Sequence, residues 1–357
     1  MKRIQIGIVG CGEVTQIIHL PSLSYLADKF MVTALCDISN NVLNQVGNQW
    51  QISQRYLDYR DLLAKAEVDA ILVASPDAYH SEIALAAIKA GKHLMIEKPM
   101  CITLNEADEI IAAKEQAQVT VQVGYMRRYA PAFVKACQLI DELGDIRLAR
   151  VYDVLGRNPL FIKGTSRVVR GKDITDDIIT AGRQLRDRSI TEAIGDSPAE
   201  LRIAYGLMLG LSSHDISAMR ELLGIPQRVL YAAQRCGGIY LTAAFDYGRY
   251  ICHYETGINN IPKFDAHLEI FGDEKILRVE YDTPYVRNLP IRLHIIESNS
   301  KGGVLQIAEH PEWGDAFVAE WQAFYDNVTG GLEPKTSPAD FRQDLELFQH
   351  MIKAMKE

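Results

Sequence analysis

The sequence predicts an α/β protein: an N-terminal Rossmann-type, doubly wound parallel sheet, followed by an α+β domain with an open mixed sheet. Three observations carry this. Short Ile- and Val-rich runs alternate with amphipathic segments through the first third of the chain. A glycine turn, Gly10-Cys11-Gly12, stands between the first such run and a helix-like segment. After about residue 125 the alternation stops, and several strand-like runs follow one another from Arg228 to Ile307.

Taken in order, Ile4–Val9, Val32–Cys36, Ala70–Ala74, His93–Ile96 and Val119–Val123 are continuous apolar runs, the pattern of strands buried on both faces. Between them, Ser81–Lys89 places Ile83, Ala84, Ala87 and Ile88 on one helical face, and Gly91 stops it. Leu104–Gln116 and Ala132–Leu143 follow the same logic. Beyond them Arg147–Leu155 is strand-like, and Gly164–Asp196 is charged and irregular. Residues 197–223 are helical, opening on Ser197-Pro198-Ala199-Glu200, which has the form of a capping box. Helices over Ala316–Thr329 and Pro338–Lys356 close the chain. The domains are therefore set at 1–125 and 126–357, with an insertion at about 163–200.

Composition narrows the function classes. Hydrophobic residues make up 48% and charged residues 24%, which places the chain among ordinary globular proteins. A net charge of −8, with no basic stripe interleaved with aromatics, argues against nucleic acid or an anionic membrane as partner. No apolar run approaches the ~18 residues of a membrane span, and the opening MKRIQIGIVG lacks a leader's cleavage pattern. Cys11, Cys36, Cys101, Cys137, Cys236 and Cys252 include no C-x-x-C pair; they read as small buried residues in a reducing cytoplasm. No histidines stand at metal-ligand spacing, so no metal is expected.

The glycine turn has the form G-x-G-x-x-T, with Thr15 where glycine or alanine is usual. Gly10 permits the tight turn. Gly12 lets the backbone approach a pyrophosphate, which the N–H groups of Gly10, Gly12, Glu13 and Val14 would bind at the helix N-terminus. Asp37 ends the second strand, 22 residues beyond Thr15, as an acceptor for ribose hydroxyls. No Lys or Arg lies between Lys29 and Arg55 to offset its repulsion of a 2′-phosphate, so NAD is expected over NADP.

The strand His93–Ile96 delivers Glu97-Lys98-Pro99 at its C-terminal end, the edge where open parallel sheets bind ligands. A lysine there can hold a hydroxyl and stabilise alkoxide charge. Taken alone, a surface lysine paired with Glu97 beside a turn proline explains the segment better. The turn also makes Lys98–Pro99 a candidate cis bond.

Ser75-Pro76-Asp77-Ala78-Tyr79-His80, Ala90-Gly91-Lys92-His93 and Glu97-Lys98-Pro99 together resemble the signature of the Gfo/Idh/MocA oxidoreductases. Val123-Gly124-Tyr125-Met126-Arg127-Arg128-Tyr129 and His19-Leu20-Pro21 resemble further segments of that family. The resemblance implies a Rossmann domain holding NAD(P) and a second domain whose open sheet makes oligomer contacts, as a homodimer or homotetramer. It implies that Lys98 is the catalytic lysine. Glu97 and His80 would line the nicotinamide end, and Ser75 and Pro76 the loop beside the cofactor. His214 matches the family's general base on the first long helix of the second domain, but Gly210 stands where the family commonly has a supporting aspartate. Asp215 points about 100° away from that face. Arg157-Asn158-Pro159 resembles an inositol-dehydrogenase segment, so Asn158 and Arg127 would orient substrate hydroxyls.

These residues together give the expected activity: NAD-dependent oxidation of a secondary alcohol on a sugar, glycoside or cyclitol. Two alternatives stay open, an NAD-cycling glycoside hydrolase or epimerase without net oxidation, and a non-enzymatic NAD-binding sensor. The insertion carries Arg167, Arg170, Arg183, Arg186 and Arg188 among aspartates. It reads either as a lid or arm shaping the pocket or as a solvated helical insertion, and mixed charge favours the latter.

Overall fold

The computed structural model describes residues 3–357, and the chain divides into two units of three stretches each. The first unit takes the chain up to Tyr125, then 166–195 and 320–345. The second takes 126–165, 196–319 and 346–357. A single cut after residue 125 therefore does not describe the units.

In the first unit, β1 (Ile4–Val9) runs into a wide helical turn over Thr15–His19 and then α1 (Leu20–Tyr25). β2 (Phe30–Cys36), α2 (Asn40–Gln49), β3 (Gln54–Tyr56) and α3 (Tyr59–Lys65) follow. The sequence reading had passed over α2, β3 and α3. Next come β4 (Ala70–Val73), α4 (His80–Lys89), β5 (His93–Glu97), α5 (Leu104–Ala117) and β6 (Val121–Gly124). All strand pairings are parallel, in the order β3-β2-β1-β4-β5-β6. The order reverses between β1 and β4, which opens a crevice at their C-terminal ends.

The two later stretches complete this unit's core. Trp321 is fully buried and meets Phe30 edge-on at 5.3 Å between ring centroids, with Phe324 at 5.5 Å. Each such side chain contributes about 1.5–3 kcal/mol by leaving water.

The second unit starts with α6 (Pro131–Leu139) and β7 (Ile146–Gly156), then α7 (Asn158–Thr165). Helix α8 (Asp176–Ile194) belongs to the first unit. Back in the second, α9 (Ala199–Leu207), a wide turn over Met208–Ser212 and α10 (Ser213–Leu223) form one helical run. Pro198 is the N-cap of α9, and no side chain caps it. The expected Ser197 capping box does not form at the cap, because Pro198 is extended (φ −53°, ψ 153°) and the helix starts one residue later.

Strands β8 (Arg228–Arg235), β9 (Tyr240–Asp246), β10 (Ile251–Asn259), β11 (Phe264–Gly272), β12 (Lys275–Tyr281), β13 (Arg292–Ser298) and β14 (Val304–Glu309) complete an eight-stranded sheet ordered β14-β13-β12-β11-β7-β10-β9-β8. β7 and β10 pair in parallel, and the other neighbours are antiparallel. Helices α11 (Ala316–Gly330) and α12 (Pro338–Lys356) close the chain. No helix among the described residues is long and apolar enough to cross a membrane.

Candidate functional site

Gly10 sits at φ +95°, and a Cβ there would lie 2.4 Å from the Ala74 carbonyl oxygen, so only glycine fits between β1 and β4. Thr15 is fully buried, and its hydroxyl donates to the Gly10 carbonyl at 2.6 Å. The larger third residue thus serves the turn by a bond across it. Asp37 accepts from the Cys11 N–H and the Ser39 N–H, both at 2.8 Å, which fixes the carboxylate beside the turn. Burial pushes Asp37 above its ordinary pKa; the two N–H groups oppose the rise, and the negative charge of Asp173 adds to it.

These residues fit a dinucleotide. A Cβ on Gly12 would meet nothing within 4 Å, so the backbone there is open to a close ligand. Ser75 Oγ, on the loop after β4, is buried and has no hydrogen-bond partner. Glu13 and Val14 are half-buried at the start of the helical turn, where first-turn N–H groups lack intrahelical acceptors.

Glu97 and Lys98 end β5, with Glu97 buried and Lys98 half-buried. The Lys98–Pro99 bond is cis. Glu97 Oε1 lies 2.8 Å from His19 Nε2, and the Trp321 indole N–H donates to His19 Nδ1 at 3.1 Å. The indole makes Nδ1 an acceptor, so Nε2 carries the proton that His19 gives to Glu97. Glu97 Oε2 accepts from the Lys98 N–H at 3.1 Å. Burial works to raise the Glu97 carboxyl, but the hydrogen bond from His19 and the positive charge of Lys98 leave it below its ordinary pKa. His80 has one ring nitrogen 2.8 Å from the Pro99 carbonyl and the other 2.7 Å from the Ser75 carbonyl, so it pins the loops after β4 and β5 together. Pro76 is exposed beside Ser75. The sequence reading missed His19 and Trp321 as parts of this cluster.

The segment 166–195 packs on this same unit. Gln16 and Val169 exchange two bonds of 2.8 Å, and Arg170 pairs with Glu13 at 2.6 Å. Asp173 accepts from Ser39 Oγ and from the Asn41 N–H, and Arg186 pairs with Asp77 at 2.9 Å. Arg167, Arg183 and Arg188 stay exposed. The expectation of a merely solvated insertion is thereby corrected: Arg170, Asp173 and Arg186 tie the segment to the glycine turn, the start of α2 and the loop after β4.

In the second unit, His214 and Asp215 lie in the first turn of α10, both buried. Arg127 Nη1 donates to Asp153 Oδ2 at 2.9 Å and also to Asp215. Its guanidinium lies over the rings of Tyr281 and Phe264, 5.1 and 5.6 Å from their centroids. Burial drives Asp215 well above its ordinary carboxyl pKa and the charge of Asp153 adds to this, with Arg127 opposing. Two carboxylates compete for one guanidinium, and Asp215 is the one held well above its ordinary pKa. Arg127 was expected to touch substrate directly, but it is only 3% exposed and engaged with these groups. Asn158 is exposed at the start of α7, and its amide donates to Tyr285 Oη at 3.2 Å. Gly210 is exposed within the wide turn, and a Cβ there would meet nothing within 4 Å.

Comparison with known proteins adds the following. The family described as "Oxidoreductase family, NAD-binding Rossmann fold" matches residues 4–125. The chain is 30% identical to inositol 2-dehydrogenase of Salmonella typhimurium (strain LT2) over 341 residues, 93% of this chain and 88% of that one. It is 34% identical to the uncharacterized oxidoreductase YrbE of Bacillus subtilis over 158 residues; that match spans 44% of this chain and just under half, 46%, of YrbE. A crystal structure of scyllo-inositol dehydrogenase from Lactobacillus casei with bound NAD(H) and scyllo-inositol has the same fold, with a TM-score of 0.72 at 21% identity, covering 99% of this chain and 97% of that one.

Proposed function

The chain belongs to the Gfo/Idh/MocA oxidoreductase family, and from that premise we propose that it oxidises a secondary alcohol of a cyclitol or sugar with NAD⁺. The observation that carries this reading is the end of β5. A buried, ionised Glu97, held by His19, accepts from the backbone N–H of a half-buried Lys98 at the ligand-binding edge of a dinucleotide fold.

NAD⁺, when bound, supplies the acceptor for the hydride leaving the carbinol carbon. The Gly10 N–H, expected to take part, instead donates to the Cys36 carbonyl at 2.9 Å, so Gly12, Glu13 and Val14 hold the pyrophosphate through the backbone while Gly10 makes the turn, and Asp37 accepts from the ribose hydroxyls. Ser75, Pro76, His80 and Glu97 shape the nicotinamide end. Lys98 holds the substrate hydroxyl and stabilises the charge that grows on its oxygen as hydride leaves. His214 is assigned the proton, a role suited to an imidazole near neutral pH. Asn158 orients a neighbouring hydroxyl. Arg127 is assigned to positioning α10 through Asp215 and β7 through Asp153, in place of direct substrate contact.

The relatives named for inositol dehydrogenation support a cyclitol as first choice. A panel of inositol isomers, hexoses and glycosides, each with NAD⁺, tests the reading by NADH absorbance at 340 nm. NADH should accumulate with at least one cyclitol or sugar. Product formed without NADH would replace net oxidation by a cycling reaction. No turnover of any polyol would remove the dehydrogenase reading.

A further inference from the structure

The segment 166–195 reaches the N-terminal turn of α2 as well as the glycine turn. There the Asp173 carboxylate accepts from Ser39 Oγ and, at 3.0 Å, from the Asn41 N–H. Ser39 is the N-cap of α2, and its hydroxyl also accepts from the Val42 N–H at 3.1 Å. The Asn41 side-chain amide donates to the Arg170 carbonyl at 3.0 Å, which holds the segment in place from the other side. Asp37 bonds to the Ser39 N–H at 2.8 Å, so both aspartates converge on one residue. Asp37 is the acceptor assigned to the adenosine ribose, and a 2′-phosphate would extend from that ribose. The hydroxyl and N–H groups beside Asp37 are the neutral donors such a phosphate would use.

We propose that Asp173 is a coenzyme-specificity residue: it fills the start of α2 with the chain's own carboxylate and so excludes the 2′-phosphate of NADP. The inference rests on the dinucleotide reading of the glycine turn and adds to it a second, distant determinant. Asp37 alone repels a phosphate by charge. Asp173 adds a second negative charge and also withdraws the donors. Arg55, the next cation along the chain from this turn, is occupied with Asn44, Asn48 and the Ile52 carbonyl. Arg170 is paired with Glu13, and Lys172 is exposed.

The test is direct binding, with no substrate present. Titration calorimetry gives Kd for NAD⁺ and for NADP⁺ with the full chain and with two variants. Asp173→Asn removes the charge and one of the two acceptor oxygens, since Ser39 Oγ and the Asn41 N–H donate to different oxygens of the carboxylate. Asp173→Ala removes both charge and acceptor. The wild-type chain should favour NAD⁺ strongly. In Asp173→Asn the NAD⁺/NADP⁺ affinity ratio should fall about tenfold, with NAD⁺ affinity changed less than about threefold; Asp173→Ala should move further the same way. An unchanged ratio in both variants overturns the proposal. So does a parallel loss of both affinities, which would leave Asp173 a mere fastener. A wild-type chain that binds NADP⁺ as tightly as NAD⁺ also overturns it, and assigns Arg170 and Lys172 to the phosphate. If the wild-type chain binds neither dinucleotide, the underlying reading falls first.

Discussion

Each unit buries a carboxyl group beside a residue assigned to chemistry, and the two groups go opposite ways. Glu97 in the first unit stays ionised, below its ordinary pKa. Asp215 in the second is pushed well above it. Burial raises both. What differs is the balance of neighbours. Glu97 faces His19, Lys98 and His80, all donors or cations. Asp215 must share Arg127 with Asp153. Depth alone therefore does not set the charge of a buried acid; the number of partners does.

The largest expected effect tests what the ionised acid is for. Lys98→Ala should lower kcat by roughly 10²–10⁴-fold while NAD⁺ still binds, as read by steady-state rates beside calorimetry. A turnover within about threefold of wild type would leave Glu97 with a structural role only. Next comes the removal of the shared cation. Arg127→Met strands two buried carboxyls and should cost about 3–5 kcal/mol of stability in urea unfolding. A loss below about 1 kcal/mol would show that the pair reaches water or another cation.

A sharper comparison replaces each acid by its amide. Glu97→Gln removes a charge that His19 and the Lys98 N–H hold, and should cost about 2–3 kcal/mol at pH 7. Asp215→Asn replaces a group whose burial and neighbour Asp153 already disfavour its charge, and should cost less than about 1 kcal/mol. The pH trends should also have opposite signs. Glu97 has a depressed pKa, so its stabilisation is present above the unfolded value of about 4.3 and disappears as pH falls through the folded value. Asp215 has a raised pKa, so stability declines as pH rises from about 3.9 through the folded value, and Asp215→Asn should abolish that decline. Melting each variant against wild type between about pH 2 and 8 reads both slopes; slopes of the same sign would break the contrast.

The smallest effect concerns position 210. Gly210→Asp has open space for its side chain and sets a carboxylate one turn before His214. It should move the acidic limb of kcat/KM upward by about one pH unit or less. No movement would show that the wide turn over Met208–Ser212 aims residue 210 away from His214.

Sequence and structure agree best where local pattern and burial coincide. The parallel strands are buried on both faces, so they stand out as continuous apolar runs. Lys98 and Glu97 were legible because a strand end and a family motif fall together. Helix α2 was not, because six of its ten residues are Asn or Gln and only Val42, Leu43, Val46 and Gly47 are buried. His19 sits in a wide helical turn with no periodic signal, and its partners are 78 and 302 residues away. The destination of 166–195 was equally hidden. Its ties to Glu13, Ser39 and Asp77 span more than a hundred residues, and side-chain charge in a sequence does not state its partner.

Each unit is made of three stretches, so the polypeptide passes between them five times. A gene fragment ending at Tyr125 would encode every strand of the parallel sheet yet omit Trp321, Phe324 and the helix that carries Asp344, whose carboxylate accepts from the Tyr125 hydroxyl at 2.6 Å. Such a fragment would leave Phe30 wet and should be recovered as aggregate. Transplanting the coenzyme half onto another scaffold thus means moving three pieces of gene at once, a barrier to recombination that a contiguous domain does not face.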